Sequence, residues 1–275
     1  MSYIDVAGNI LNGKKNVEKD NELTPESFEM YNLLKDVINI IADSKYGGHF
    51  ILKGGSSLLT KLIETNNLQL WRATTDIDLQ VDSIAVWNSF KEDIVTILNS
   101  GSSNKTFRLL KSRSRPTETS DSITLGVMVE GTLLQFKIDT NVAKDYEVSA
   151  ISFNTINLPA YDEYTSMADK LMVLTGGKIY RRVKDIYDLY VYTSIHDFCS
   201  TQLLATIDKR YPDFFRSAQN MLIPENIPSA EHAYNKFEGI RQKPEFGILV
   251  DRYTSFVEPI LRRQRGLLWV KDNWH

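Results

Sequence analysis

Two aspartates, Asp76 and Asp78, are the first residues whose type and spacing suggest chemistry. They lie in Asp76-Ile77-Asp78-Leu79-Gln80-Val81-Asp82, whose strict alternation predicts a strand. Its carboxylates and Gln80 fall on one side, and Ile77, Leu79 and Val81 on the other. Side chains at i and i+2 of a strand stand about 6–7 Å apart, and two carboxylates so placed repel unless a cation or solvent relieves them. An all-oxygen pair suits Mg2+ or Mn2+, while the same alternation also describes a plain solvated face. A third carboxylate bears on this choice. In Leu134-Gln135-Phe136-Lys137-Ile138-Asp139 the apolar residues face one way, and Gln135, Lys137 and Asp139 the other. If this strand pairs beside the first, Asp139 completes a cluster able to hold two divalent ions and to serve an in-line displacement with pyrophosphate leaving. Otherwise it is an exposed strand end.

Three further groups are chemically suggestive. Gly54-Gly55-Ser56-Ser57 turns a strand into a helix with little side-chain bulk, so backbone N–H groups and the helix dipole can cradle phosphate oxygens, with the Ser56 and Ser57 hydroxyls as added donors. A merely structural turn reads the same. Lys170 lies beside the stripe Met167, Leu171 and Leu174, where it can snorkel to solvent or reach a triphosphate. Asp185 and Asp188, three apart on one helical face, have Arg181 and Lys184 placed for intrahelical ion pairs.

The elements that position these residues follow from the pattern. Thr24-Pro25 starts a helix, with Met30, Leu34, Val37, Ile38 and Ile41 at helical spacing. Gly47-Gly48 ends it, and residues 49–53 read as a short buried strand. Residues 56–63 and 83–98 read as helices, 100–106 as a loop, and 121–130 and 132–140 as strands joined near Gly131. From about Tyr161 helical patterns take over, at 161–175, 180–195 and beyond. The prediction is an α/β chain with two domains: a mixed-sheet domain over 1–160 and a helical domain over 161–275.

Composition narrows the class. The chain has 275 residues, 42% hydrophobic and 24% charged, with net charge −3. That excludes disorder and fibrous repeats, and offers no global positive field for nucleic acid. The single cysteine, Cys199, supports neither an internal disulfide nor a multi-thiolate metal site. The N-terminus has no apolar leader and no apolar run reaches a bilayer-spanning length, so the expectation is a cytoplasmic protein with no membrane partner. Phosphate-loop, dinucleotide, zinc-protease and serine-hydrolase signatures are absent.

The ordered set GGSS, WRATTDIDL, DKLMVL and RRVKDIYDLY, spanning about Phe50 to Tyr192, resembles the AbiEii/AbiGii nucleotidyltransferase-like toxins of toxin–antitoxin and abortive-infection systems, relatives of the MenT toxins. The resemblance implies a polymerase-β-type nucleotidyltransferase core followed by a C-terminal helical domain. It also implies an NTP substrate, Mg2+ or Mn2+, and addition of nucleotides to the acceptor end of tRNA, which blocks translation. A cognate antitoxin is an implied partner. By this match Gly55 and Ser56 form the phosphate turn, with Gly54 and Ser57 flanking them in the same turn, and Arg72 is the basic residue ahead of the aspartates, expected to bind the nucleotide. Asp76 and Asp78 hold metal, and Lys170 contacts the nucleotide. Asp185 and Asp188 form the late acidic motif, with the essential one undecided between them. Asp139 joins through its strand pattern. Protein or small-molecule hydroxyls as acceptors, and a shell that binds without chemistry, stay open as alternatives. For RNA, the expectation rests on Lys105, Arg108, Lys111, Arg113 and Arg115, a stretch containing no acid, together with Arg181 and Arg182.

Overall fold

The computed structural model describes residues 25–112, 117, 119–129, 131–142, 150–151, 156–176, 178–218, 221–222, 227–236, 240, 242–270 and 272–275. They form two compact units, the first ending at Tyr161 and the second running from Asp162 to His275.

The first unit opens with α1 (Pro25–Ala42), whose Leu34, Val37, Ile38 and Ile41 are buried as their spacing predicts. A 3-10 turn at Gly47–His49 leads into β1 (Phe50–Lys53), so the strand starts one residue later than expected. Then come α2 (Gly54–Glu64), β2 (Asp76–Val81) and α3 (Ile84–Gly101). Next are β3 (Thr106–Ser112), β4 (Ser120–Val129), β5 (Thr132–Val142), β6 (Ala150–Ile151) and β7 (Ala160–Tyr161). The seven strands make one mixed sheet in the order β3-β4-β5-β2-β1-β7-β6, with β2–β5 and β1–β7 parallel. One face is apolar. Ile77, Leu79, Phe50, Leu52, Ile123, Leu125, Phe136 and Ile138 all lie at 1% exposure or less, and Trp87, Phe90, Ile94 and Leu98 of α3 are fully buried. Each such side chain contributes about 1.5–3 kcal/mol. Asp121, also buried, ties α3 to β4 by accepting from Trp87 Nε1 and Lys91 Nζ, both at 2.8 Å. The opposite face carries Asp76, Asp78, Lys137 and Asp139.

Residues 102–105 form a loop within the expected segment 100–106, whose ends belong to α3 (100–101) and to β3 (106), a strand the pattern did not suggest. The strand escapes notice because it lies at the sheet edge, with six of its seven residues exposed, and so shows no alternation of polarity.

The second unit holds α4 (Glu163–Leu174), α5 (Val183–Ile195), α6 (Ser200–Arg210), α7 (Phe214–Ser217), α8 (Ile227–Asn235) and α9 (Phe246–Leu261). It also holds a small sheet, in the order β10-β9-β8, of β8 (Phe198–Cys199), β9 (Leu268–Val270) and β10 (Asn273–Trp274). Strands of two or three residues leave no periodic trace in sequence. Trp269 at the centre of this sheet is fully buried, with its indole N–H on the Thr193 carbonyl at 3.0 Å. No described helix is long and apolar enough to cross a membrane.

Candidate active site

The turn between β1 and α2 has no connecting residue: the strand ends at Lys53 and the helix begins at Gly54. Gly54 has φ +57°, a conformation that glycine adopts without the Cβ penalty. A Cβ there would overlap the Asp78 carboxylate, and one at Gly55 would meet Arg72 Nη2 at 3.5 Å. The two glycines therefore let an acid and a guanidinium close directly on the first turn of α2. Lys53, the N-cap residue, provides no side-chain cap. The helix start presents its first N–H groups and the positive end of its dipole beside that acid and that guanidinium, the makings of an anion cradle.

The serine hydroxyls are engaged with backbone groups. Ser56 Oγ donates to the Asp76 carbonyl at 3.3 Å and accepts from the Asp78 N–H at 3.2 Å. Ser57 Oγ donates to the Tyr161 carbonyl at 3.1 Å. Both residues are at 1% exposure or less. Ser56 is thus a strap between the turn and the carboxylate strand.

The three carboxylates come to one face through strand register. β2 and β5 are parallel, with Asp78 opposite Asp139 and Asp76 opposite Lys137. β1 places Lys53 opposite Asp78, and β4 places Ser122 opposite Asp139. Opposed residues share a face at a strand spacing of about 4.8 Å. The row Lys53–Asp78–Asp139–Ser122 therefore crosses four strands, with Asp76–Lys137–Thr124 beside it. Lys53 Nζ reaches across to Asn141 Oδ1 at 2.5 Å. Lys137 Nζ lies 2.6 Å from Asp139 Oδ1 and 2.7 Å from Oδ2. With side chains 42% and 31% exposed, that pair is worth about 0–1 kcal/mol.

The donor set is all oxygen and half-buried, which fits a hard divalent cation. Yet among the described residues no three carboxylates, histidines or cysteines already converge on one point. Lys137 engages both oxygens of Asp139. Lys137 was visible in the sequence only as one polar residue of an alternating strand. Its i+2 spacing to Asp139 was the available signal, and the register that sets it opposite Asp76 was not.

In the second unit Lys170 joins the late acidic motif. Its ammonium lies 2.8 Å from Asp185 Oδ1 and 2.6 Å from Asp188 Oδ2, so it bridges α4 to α5 rather than snorkelling. Arg182, which precedes α5, approaches Asp185 at 3.9 Å. Asp188 is completely buried. One residue before Lys170 on α4, Asp169 accepts from Arg210 and, at 2.7 Å, from Tyr211, which ties α4 to the end of α6.

The basic residues divide. Arg108 and Lys111 are exposed on edge strand β3. They are three apart, which in a regular strand would point them to opposite faces. A bulge between Leu109 and Lys111 sets Arg108 opposite Gly126 and Lys111 opposite Thr124, so both lie on the carboxylate face. Lys105 instead pairs with Asp36 at 2.6 Å and is mostly covered. Arg181 lies over the Tyr180 ring at 5.6 Å, and Arg182 is half exposed. Arg113 and Arg115 lie outside the described residues.

The family model described as "Nucleotidyl transferase AbiEii toxin, Type IV TA system" matches residues 37–262. No curated protein is significantly similar to the chain. Among solved structures, JHP933 from Helicobacter pylori is similar over 88% of this chain and 94% of its own, at 12% identity and a TM-score of 0.56. A candidate nucleotidyltransferase from H. pylori is similar over 88% and 97%, at 12% identity and a TM-score of 0.54. Identities this low speak for a shared fold alone.

Proposed function

This chain belongs to the AbiEii nucleotidyl transferase toxin family, whose model spans most of it, and from that premise we propose that it transfers NMP from an NTP to the 3′ acceptor end of tRNA and so blocks translation. The acceptor hydroxyl oxygen attacks the α-phosphorus, the bond from that phosphorus to the bridging oxygen breaks, and pyrophosphate leaves with the bonding pair. The hydroxyl proton passes to a carboxylate, for which Asp139 is our assignment. Backbone N–H groups of Gly55, Ser56 and Ser57, with Arg72 beside them, grip the triphosphate. Asp76, Asp78 and Asp139 would hold Mg2+ or Mn2+, which when bound supplies charge neutralisation at the reacting phosphate and acidifies the attacking hydroxyl. Lys170, Asp185 and Asp188 are assigned to the same transfer by their match to the late family motifs. Arg108 and Lys111 are assigned to the RNA backbone. We assign the reaction to the cytoplasm, where NTP and tRNA are found, with a cognate antitoxin as partner.

One observation carries the reading: Asp78 stands in register with Asp139 on adjacent parallel strands while its carboxylate closes on Gly54 at the start of α2. The test is incubation of the full chain with each α-labelled NTP, MgCl2 and total tRNA. Label at the 3′ end of tRNA, removable by ribonuclease, is the expected result. Label on protein or on a small molecule instead would assign a different acceptor. No label with either Mg2+ or Mn2+ would overturn the proposal.

A further inference from the structure

We propose that Lys137 is the resident counter-ion of the carboxylate face: it holds Asp139 when no cation is bound, and it must release Asp139 for that residue to ligate one. This rests on the metal-dependent reading above and adds a residue to it.

The argument begins with register. Lys137 sits opposite Asp76, and its side chain leans along β5 to Asp139, two residues on and opposite Asp78. Its ammonium, within 2.7 Å of both Asp139 oxygens, therefore engages the carboxylate that a third metal ligand would have to provide. Lys53 makes no such claim, since its ammonium is turned to the neutral Asn141 amide. The pair is too exposed to be a mainstay of the fold, so a structural role accounts poorly for its close geometry. A divalent cation entering among Asp76, Asp78 and Asp139 carries the same sign as the Lys137 ammonium and repels it. The displaced ammonium, on a flexible four-carbon stem, is left on the face where a triphosphate would lie. Cation binding alone is thereby disfavoured. Cation binding together with a phosphate chain is favoured, because the phosphates give Lys137 a new partner. The device makes the site admit metal with nucleotide rather than metal alone.

The test measures Mn2+ binding to the full chain by electron paramagnetic resonance, with and without inorganic pyrophosphate. Lys137→Met should bind Mn2+ alone up to about fivefold more tightly than the unsubstituted protein, the effect of removing a competitor worth about 1 kcal/mol. Lys137→Arg, which keeps the charge, should not. Pyrophosphate should tighten Mn2+ binding more in the unsubstituted protein than in Lys137→Met. Lys137→Gln serves as a second neutral variant if the methionine form does not fold. If both neutral variants bind Mn2+ as the unsubstituted protein does, while Asp78→Asn abolishes binding, the counter-ion role is overturned and the cation site stands. If no form binds Mn2+ even with pyrophosphate, the metal-dependent reading falls, and this inference with it.

Discussion

Asp78 has two neighbours that single substitutions can separate, the positive start of α2 and the carboxylates on its own face. Asp78→Asn keeps the shape and removes the charge. It should lower nucleotide transfer at least about 100-fold, with a urea midpoint shifted by the equivalent of no more than about 1 kcal/mol, since it also relieves repulsion from Asp76 and Asp139. A matched loss of stability and activity would mean that Asp78 serves the fold. Gly54→Ala acts from the other side of the same contact. The new Cβ meets the Asp78 carboxylate at a backbone conformation that side chains disfavour. The expected cost, measured by denaturation, is about 1–3 kcal/mol, with a loss of transfer because Asp78 must move aside. At this scale the sequence was informative about residue identity and silent about partnership. The aspartates and the glycine turn stand out by type and spacing. That Ser56 and Ser57 bond to backbone, or that Lys105 pairs with Asp36, depends on segments distant in sequence that no local pattern names.

Between elements, the decisive contacts are a few polar bridges set in apolar surroundings. Lys170 joins α4 to α5 through two carboxylates, one of them fully buried. Lys170→Met takes that ammonium from a buried Asp188 and should cost about 3–5 kcal/mol, read as a lowered denaturation midpoint. Adding Asp188→Asn should return part of the loss, as expected for residues in one network. Strands β2 and β5 were legible because a two-residue period sorts their polar and apolar faces. Their parallel pairing was not, since alternation states which face a residue takes and never which neighbour lies beside it. Edge strand β3 was hidden for the opposite reason: with nearly every side chain exposed, it has no polarity to alternate. Its bulge, which brings Arg108 and Lys111 to one face, is a backbone irregularity without a residue signature.

For the whole molecule, fold class and family were readable from the ordered motifs, and the match over residues 37–262 extends past the segment that carried them. One buried group should contribute stability that is lost in acid. Burial pushes the Asp121 carboxyl up, but donation from Lys91, Trp87 and the Ser122 N–H outweighs this and holds it below its ordinary 3.8. Such a carboxyl takes up its proton more readily in the unfolded chain. Its stabilisation is therefore complete above the unfolded value and is lost as pH falls through the folded one. Asp121→Asn should be less stable at neutral pH by about 1–3 kcal/mol. That gap in urea midpoint should stay level down to about pH 4 and close below it. The parallel neighbours β2 and β5 have a further consequence. The chain between them runs through α3, β3 and β4 before β5 can dock, so a growing polypeptide exposes Asp76 and Asp78 some sixty residues before Asp139 emerges from the ribosome. Under the proposed transfer, copies whose synthesis stops short of β5 would lack Asp139 and would be inactive.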